Sequence, residues 1–253
     1  MRPHQIGIQL YTLRQQASQD MLGTLRRLAA MGYRSVEFAG FGNAAPAEIR
    51  TVLDDTGMAA VGAHVPFDDW EQRRGQAFED LQTLGCAYAV VPSVPQHRRR
   101  DLDTVARVAE DFNAWGSESR DQGLRFAYHN HDVEFAALQE GTMWQTLVAA
   151  TDPGTVEFEV DVYWAAYAGM DPVELLRRHT GRVALLHAKD MAGDADRNDA
   201  PVGAGVLPWD DLLAAGDAAG VRWYIVEQDN PKDVFDDVQS SLRHLQQWSD
   251  PTP

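Results

Sequence analysis

The chain holds 253 residues, 44% of them hydrophobic, enough for one large core. A net charge of −16 argues against the clustered Lys and Arg surface that nucleic acid requires, and no apolar run reaches the roughly 18 residues that span a membrane. The lone cysteine, Cys86 in LGCAYAVV, can close no internal disulfide; with no signal-type apolar segment ahead of the first strand, a cytoplasmic protein is expected.

Short β-rich runs alternate with helical patterns along the chain. In order, the strands are IGIQLY (6–11), SVEFA (35–39), AAVGAH (59–64), YAVVPS (88–93), RFAYHNH (125–131), VEFEVDV (156–162), VALLHAK (183–189) and WYIVEQ (223–228). Between them, MLGTLRRLAAMG, DLDTVARVAEDFNAWGSESRDQG, DPVELLRRHTG and WDDLLAAGDAAG carry helical periodicity. Gly32, Gly57, Gly85, Gly123, Gly181 and Gly220 close such stretches, and Asp101, Asp171 and Asp210 are expected to start helices. Eight βα repeats in this length predict an α/β fold, a (β/α)8 TIM barrel as a single domain over 1–253, with 248–253 a frayed tail. A doubly wound sheet fits less well, because the first βα turn, LYTLRQQASQ, has no glycine.

In a barrel, alternate strand residues face the interior. Strand six then sends Glu157, Glu159 and Asp161 inward, and strand five Ala127, His129 and His131. Strand seven puts Val183, Leu185, His187 and Lys189 on one face, and strand eight Trp223, Ile225 and Glu227. Strands one to three offer Gln9 with Tyr11, Glu37 and His64 as groups that can meet a substrate. Thus the interior turns polar at the C-terminal end of strand after strand, where such barrels keep their active sites. Taken singly, a strand-end histidine is more often a hydrogen-bonded core residue than a ligand. Taken together, buried carboxylates need cations or protons. His129 or His131, with Asp161, His187 and Glu227, can surround one divalent cation; two carboxylates and two imidazoles suit manganese, cobalt, zinc or iron better than calcium. Glu157 lies deepest and is expected to be structural.

In YHNHDVEF, FEVDVYW, LLHAKD, VGAGVLPW and YIVEQD the chain resembles the xylose isomerase-like TIM barrel family. That family groups sugar isomerases, epimerases and sugar-type dehydratases with a DNA-repair nuclease branch. Its usual metal site implies Glu, Asp, His and Glu from four late strands; Asp161, His187 and Glu227 match the last three. His129 stands where the first glutamate is expected. The resemblance implies one divalent ion, with manganese first among Mn, Co, Zn, Fe and Mg. The HNH variant is similar to a subgroup that includes inosose dehydratase-like and 3-keto-sugar-processing proteins.

The chemistry implied is proton abstraction beside a carbonyl of a carbohydrate, leading to isomerisation, epimerisation or elimination. Glu227 is the implied base, and His131 or His129 the opposite acid/base. Glu159, two residues before Asp161 on the same face, is a candidate to support the ligands from behind or to meet substrate, and Trp164 one to floor a sugar ring. Lys189 binds a substrate oxygen or pairs with Asp190 at the surface. Arg197, with Gly203 and Gly205 in the loop after strand seven, can cradle an anion, although a neutral keto-sugar or inosose is the preferred substrate class. Barrels of this family often pair, so self-association is allowed for. The nuclease branch is disfavoured by the charge, and a non-catalytic sugar-binding barrel by the retained ligand set.

Overall fold

The computed structural model describes residues 3–248, so the predicted tail beyond Trp248 lies outside the described residues. Eight parallel strands form one closed barrel: β1 (Ile6–Gln9), β2 (Ser35–Phe38), β3 (Ala59–His64), β4 (Tyr88–Val91), β5 (Arg125–His129), β6 (Val156–Asp161), β7 (Val183–Ala188) and β8 (Trp223–Val226). Each starts at its predicted residue and ends at most two residues early. In seven of the eight the last one or two residues of the run leave the sheet, and Tyr11, Ala39, Pro92, Ser93, His131 and Glu227 among them line the mouth. Helices α1 (Arg14–Met31), α2 (Pro46–Thr56), α3 (Phe67–Gln72), α4 (Arg74–Leu84), α5 (Leu102–Asp121), α6 (Met143–Ala150), α7 (Val162–Tyr167), α8 (Pro172–Arg178), α9 (Trp209–Ala219) and α10 (Val234–Gln247) alternate with the strands.

The period-2 pattern sorts side chains as expected. Ile6, Ile8, Phe126, Tyr128, Phe158, Val160, Tyr224 and Val226 join the core between sheet and helices. Val61, Tyr88, Val90, Ala127, Leu185 and Ile225 form a separate plug inside the barrel. Val183 departs from its predicted face. The β6–β7 register jumps from Phe158↔Val183 to Glu159↔Leu185, leaving Ala184 as an extra residue that reverses the parity before it. Below the plug, Glu157 accepts from Arg125 at 2.7 and 2.9 Å and from Arg222 at 2.9 Å, closing the N-terminal end of the barrel.

Gly32 closes α1 in the left-handed conformation (φ 109°), and Asp101 and Asp171 cap α5 and α8 through their side chains. Asp210 does not start its helix: Pro208 holds the cap position of α9, and Asp210 lies inside the first turn.

The loop after β7 hangs on one buried carboxylate. Asp190 accepts from the backbone N–H groups of Met191, Gly203, Gly205 and Leu207 and from Trp209 Nε1, at 2.7–3.1 Å. Gly205 passes so close that a Cβ there would lie 2.3 Å from Asp190 Oδ1. Asp190 is fully buried, so it makes no surface pair with Lys189.

Asp190→Ala leaves those donors without their acceptor. We expect a loss of about 3 kcal/mol, read as a lower urea midpoint, with new protease cleavage between residues 191 and 207. An unchanged midpoint and cleavage pattern would contradict this role.

Candidate active site

Three histidines and four carboxylates converge above the apolar plug. The His129 and His187 ring centroids lie 4.5 Å apart, and His64 stacks on His187 at 5.5 Å. Glu37, Glu159, Asp161 and His187 are fully buried, and His129 and Glu227 almost so. Isolated buried charges are prohibitive, so each must be answered by a neighbour.

The answers form two tiers. In the lower one, Glu159 Oε2 lies 3.1 Å from His129 Nδ1 and 2.8 Å from His64 Nε2. Glu37 Oε2 lies 2.8 Å from His187 Nε2 and accepts from Gln9 Nε2 at 2.8 Å. Each histidine thus has one ring nitrogen tied to a carboxylate beneath it. That fixes its orientation and turns its other nitrogen toward the upper tier. There His187 Nδ1 lies 3.0 Å from Glu227 Oε2. Asp161 Oδ1 accepts from the Trp164 backbone at 2.9 Å, while Asp161 Oδ2 is buried without a hydrogen-bond partner.

Protonation follows this packing. Burial pushes Asp161 up to about 7; burial and the nearby Glu159 push Glu37 up to about 7 as well. Burial opposes charge on His187, but Glu159 and Glu227 outweigh it and hold the imidazolium well above the usual histidine range. Burial likewise opposes ionised Glu227, and Lys189 and His187 outweigh it, keeping the carboxyl well below its usual range. Burial lowers His131 to about 4, so it is neutral at pH 7.

One ligand atom from each of His129, Asp161, His187 and Glu227 lies within 4.8 Å of the others; His64, His129, Glu159 and His187 form a second such group. The first group fits a divalent ion. Its donors are two nitrogens and two oxygens, two carboxylates against the second group's one; Asp161 Oδ2 is buried in it without a hydrogen bond, as Glu159 Oε1 is in the second group, and has only Lys189 Nζ at 4.0 Å.

The description of a xylose isomerase-like TIM barrel matches residues 25–248. The chain belongs to that family. An inosose dehydratase of Geobacillus kaustophilus is 27% identical over 198 residues, covering 67% of this chain and 62% of that protein. The chain therefore spans about three-fifths of the length of that curated relative. A sugar phosphate isomerase/epimerase of Parabacteroides distasonis superposes with a TM-score of 0.83 at 28% identity, over 97% of this chain and 94% of that one. The IOLI protein, crystallised with a bound zinc atom, superposes at 0.73 with 12% identity over 96% and 97% of the two chains, a likeness of fold.

For a xylose isomerase-like barrel the other expected site residues fall into three places. His64, His129, His131, Trp164 and Glu227 line a cavity of about 750 Å³ at the mouth. Gln9, Glu37 and Glu159 lie beneath it as orienting groups and do not line it. Lys189 is buried beside the cluster, 2.5 Å from Asp229 and 3.5 Å from Glu227, with Trp164 over its ammonium at 5.0 Å. Arg197 is not brought to the site: it is exposed, stacks on Tyr167 at 4.1 Å and donates to the Tyr167 carbonyl.

Two residues of the site were not anticipated. Asp229 lines the cavity and holds Lys189; its signal was its place two residues beyond Glu227. Asn130 sits out of parity with the histidines around it. Where β5 ends, its side chain accepts from Asp161 N at 3.1 Å and donates to Asp161 O at 3.3 Å, extending the β5–β6 ladder by one step. No parity argument finds such a residue.

Asn130→Ala should cost about 2 kcal/mol by removing both bonds. The check is a thermal melt of the metal-free protein; a change below about 0.5 kcal/mol, the level of an ordinary surface substitution, would refute the clamp.

Proposed function

We propose that this chain is a divalent-metal-dependent enzyme that removes a proton beside the carbonyl of a keto-sugar or related polyol, in the manner of sugar isomerases and epimerases. The observation that carries the reading is the group His129, Asp161, His187 and Glu227: four strand ends bring four donors within 4.8 Å of one another, one of the carboxylates keeping a buried oxygen that accepts no hydrogen bond. These residues would hold the ion, and manganese is the first choice for a mixed carboxylate and imidazole set. Bound there, a divalent ion supplies Lewis-acid polarisation of a carbonyl and its neighbouring hydroxyl.

The chain's own residues do the rest. Glu37 and Glu159 keep His187 and His129 aimed upward. Glu227, held ionised, and His131, held neutral, both face the cavity and can accept a proton. Lys189 holds its proton between Asp229 and Glu227 and balances the carboxylates on that edge of the site. Trp164 gives a sugar ring an apolar face. Returning the proton yields isomerisation or epimerisation. A second reading is dehydration, in which His131 takes the proton beside the carbonyl and passes it to the departing β-hydroxyl, which leaves as water. The likeness to an inosose dehydratase favours it.

The purified protein should carry about one divalent ion per chain, and Asp161→Ala with His187→Ala should remove it; unchanged metal content in the double variant would falsify the site. Glu37→Gln should weaken metal binding about 10- to 100-fold while every ligand remains, since it removes only the orienting carboxylate. Incubation of keto-sugars and keto-inositols in deuterium oxide should label the carbon beside the carbonyl. No label in any member would overturn the enzyme reading, and accumulation of an unsaturated ketone would decide for dehydration.

A further inference from the structure

The cavity at the mouth is lopsided. On the β6–β7 side it is closed: Trp164 stands over Lys189, the 190–209 loop is strapped to Asp190, and no described residue of that loop lines the space. On the β2–β3 side it continues as an arm between the loop after β2 and the α3–α4 pair. Phe41, Val65, Pro66, Ala77 and Leu81 wall the arm, and Asp69, Arg73, Gln76 and Asp80 stand at its outer end. At about 750 Å³ the whole space is in the upper part of the about 300–1,000 Å³ range that accepts drug-sized ligands. One six-membered ring with its hydroxyls, seated against Trp164 and the histidines, leaves the arm empty.

The charges narrow the occupant. The arm's one cation, Arg73, is bound to Asp69 at 2.5 Å, and Asp80 adds a further carboxylate. At the inner end, Lys189 is taken by Asp229. A phosphate would meet the uncompensated carboxylate of Asp80 in the arm and no unpaired cation among the described lining residues.

We propose that the substrate is a neutral glycoside of a keto-sugar, whose keto ring sits at the histidine–carboxylate cluster and whose aromatic aglycone lies in the arm, on Phe41, Val65, Pro66, Ala77 and Leu81. This rests on the reading that a ring ketone is bound at that cluster. An apolar ring gains affinity there by leaving water, and Gln76 and Asp80 can accept or donate hydrogen bonds at its far edge. The arm then acts as the specificity pocket, remote from the bonds that change.

The test compares methyl 3-keto-β-glucoside, phenyl 3-keto-β-glucoside and 3-keto-glucose 6-phosphate on the protein as purified. Affinity is read by calorimetry, and α-proton exchange with deuterium oxide by NMR. The phenyl glycoside should bind about tenfold more tightly than the methyl glycoside, and the phosphate more weakly than either. Ala77→Trp, which fills the arm, should reduce the phenyl preference to less than about twofold. Phe41→Ala, which removes a wall without adding bulk, should reduce it in the same direction and serves if the tryptophan variant does not fold. Equal affinity for the two glycosides, or tightest binding of the phosphate, overturns the proposal. Phenyl preference without proton exchange supports the arm and removes the chemistry proposed above; exchange without phenyl preference does the reverse.

Discussion

Everything at the mouth of this barrel answers one constraint: four carboxylates are buried together and cannot all be charged without compensation. Glu37, Glu159, Asp161 and Glu227 are each less than a tenth exposed. Three histidines and a lysine are threaded among them, so that nearly every charge or proton has a partner within hydrogen-bonding distance. The exceptions are three carboxylate oxygens, Glu37 Oε1, Glu159 Oε1 and Asp161 Oδ2, which are buried and accept no hydrogen bond. Asp161 has its backbone clamped by Asn130 and one oxygen bound to the chain, while its other oxygen accepts no hydrogen bond and has only Lys189 Nζ at 4.0 Å. Oxygens left without donors among so many buried carboxylates are what a cation would satisfy, and this supports the metal site proposed above.

The scaffold serves that constraint. The apolar plug of Val61, Tyr88, Val90, Ala127, Leu185 and Ile225 keeps water from reaching the cluster from below, and the Glu157–Arg222 layer seals the far end. Above, the Asp190-fastened loop fixes one wall of the cavity while the α3–α4 side is left open. Polar residues thus occupy two levels of the barrel interior with opposite purposes: ion pairing at the closed end, chemistry at the open end.

Much of this was legible in the sequence because two periodicities were regular. All eight strands begin where the alternating runs begin, and parity alone put His129, Asp161, His187 and Glu227 on one face. Parity failed where the backbone departs from it. The extra residue at Ala184 moved Val183 to the other face. Parity also could not rank depth: Glu37, read as a substrate contact, and Glu159, for which support or substrate contact both stood open, lie one tier below the ligand candidates, where they orient histidines. Arg197 was read from a glycine-containing loop as an anion contact; the loop's course, set by Asp190, carries it out onto Tyr167 instead. Asn130 and Asp190 act through backbone groups distant in sequence, and no local pattern records such bonds.

The measurement that bears most directly on the account is the number of protons released when a divalent ion enters the metal-free site. Asp161, raised to about 7, and His187, raised above the usual histidine range, both hold protons at pH 6.5, and an ion must displace them. Calorimetric titration of manganese in two buffers of different ionisation heat should show one or more protons leaving per ion bound. Affinity should rise about tenfold per proton per pH unit between pH 6 and 7. Binding that releases no protons and does not change with pH would mean that the ion sits elsewhere and that the buried cluster is a hydrogen-bond network alone.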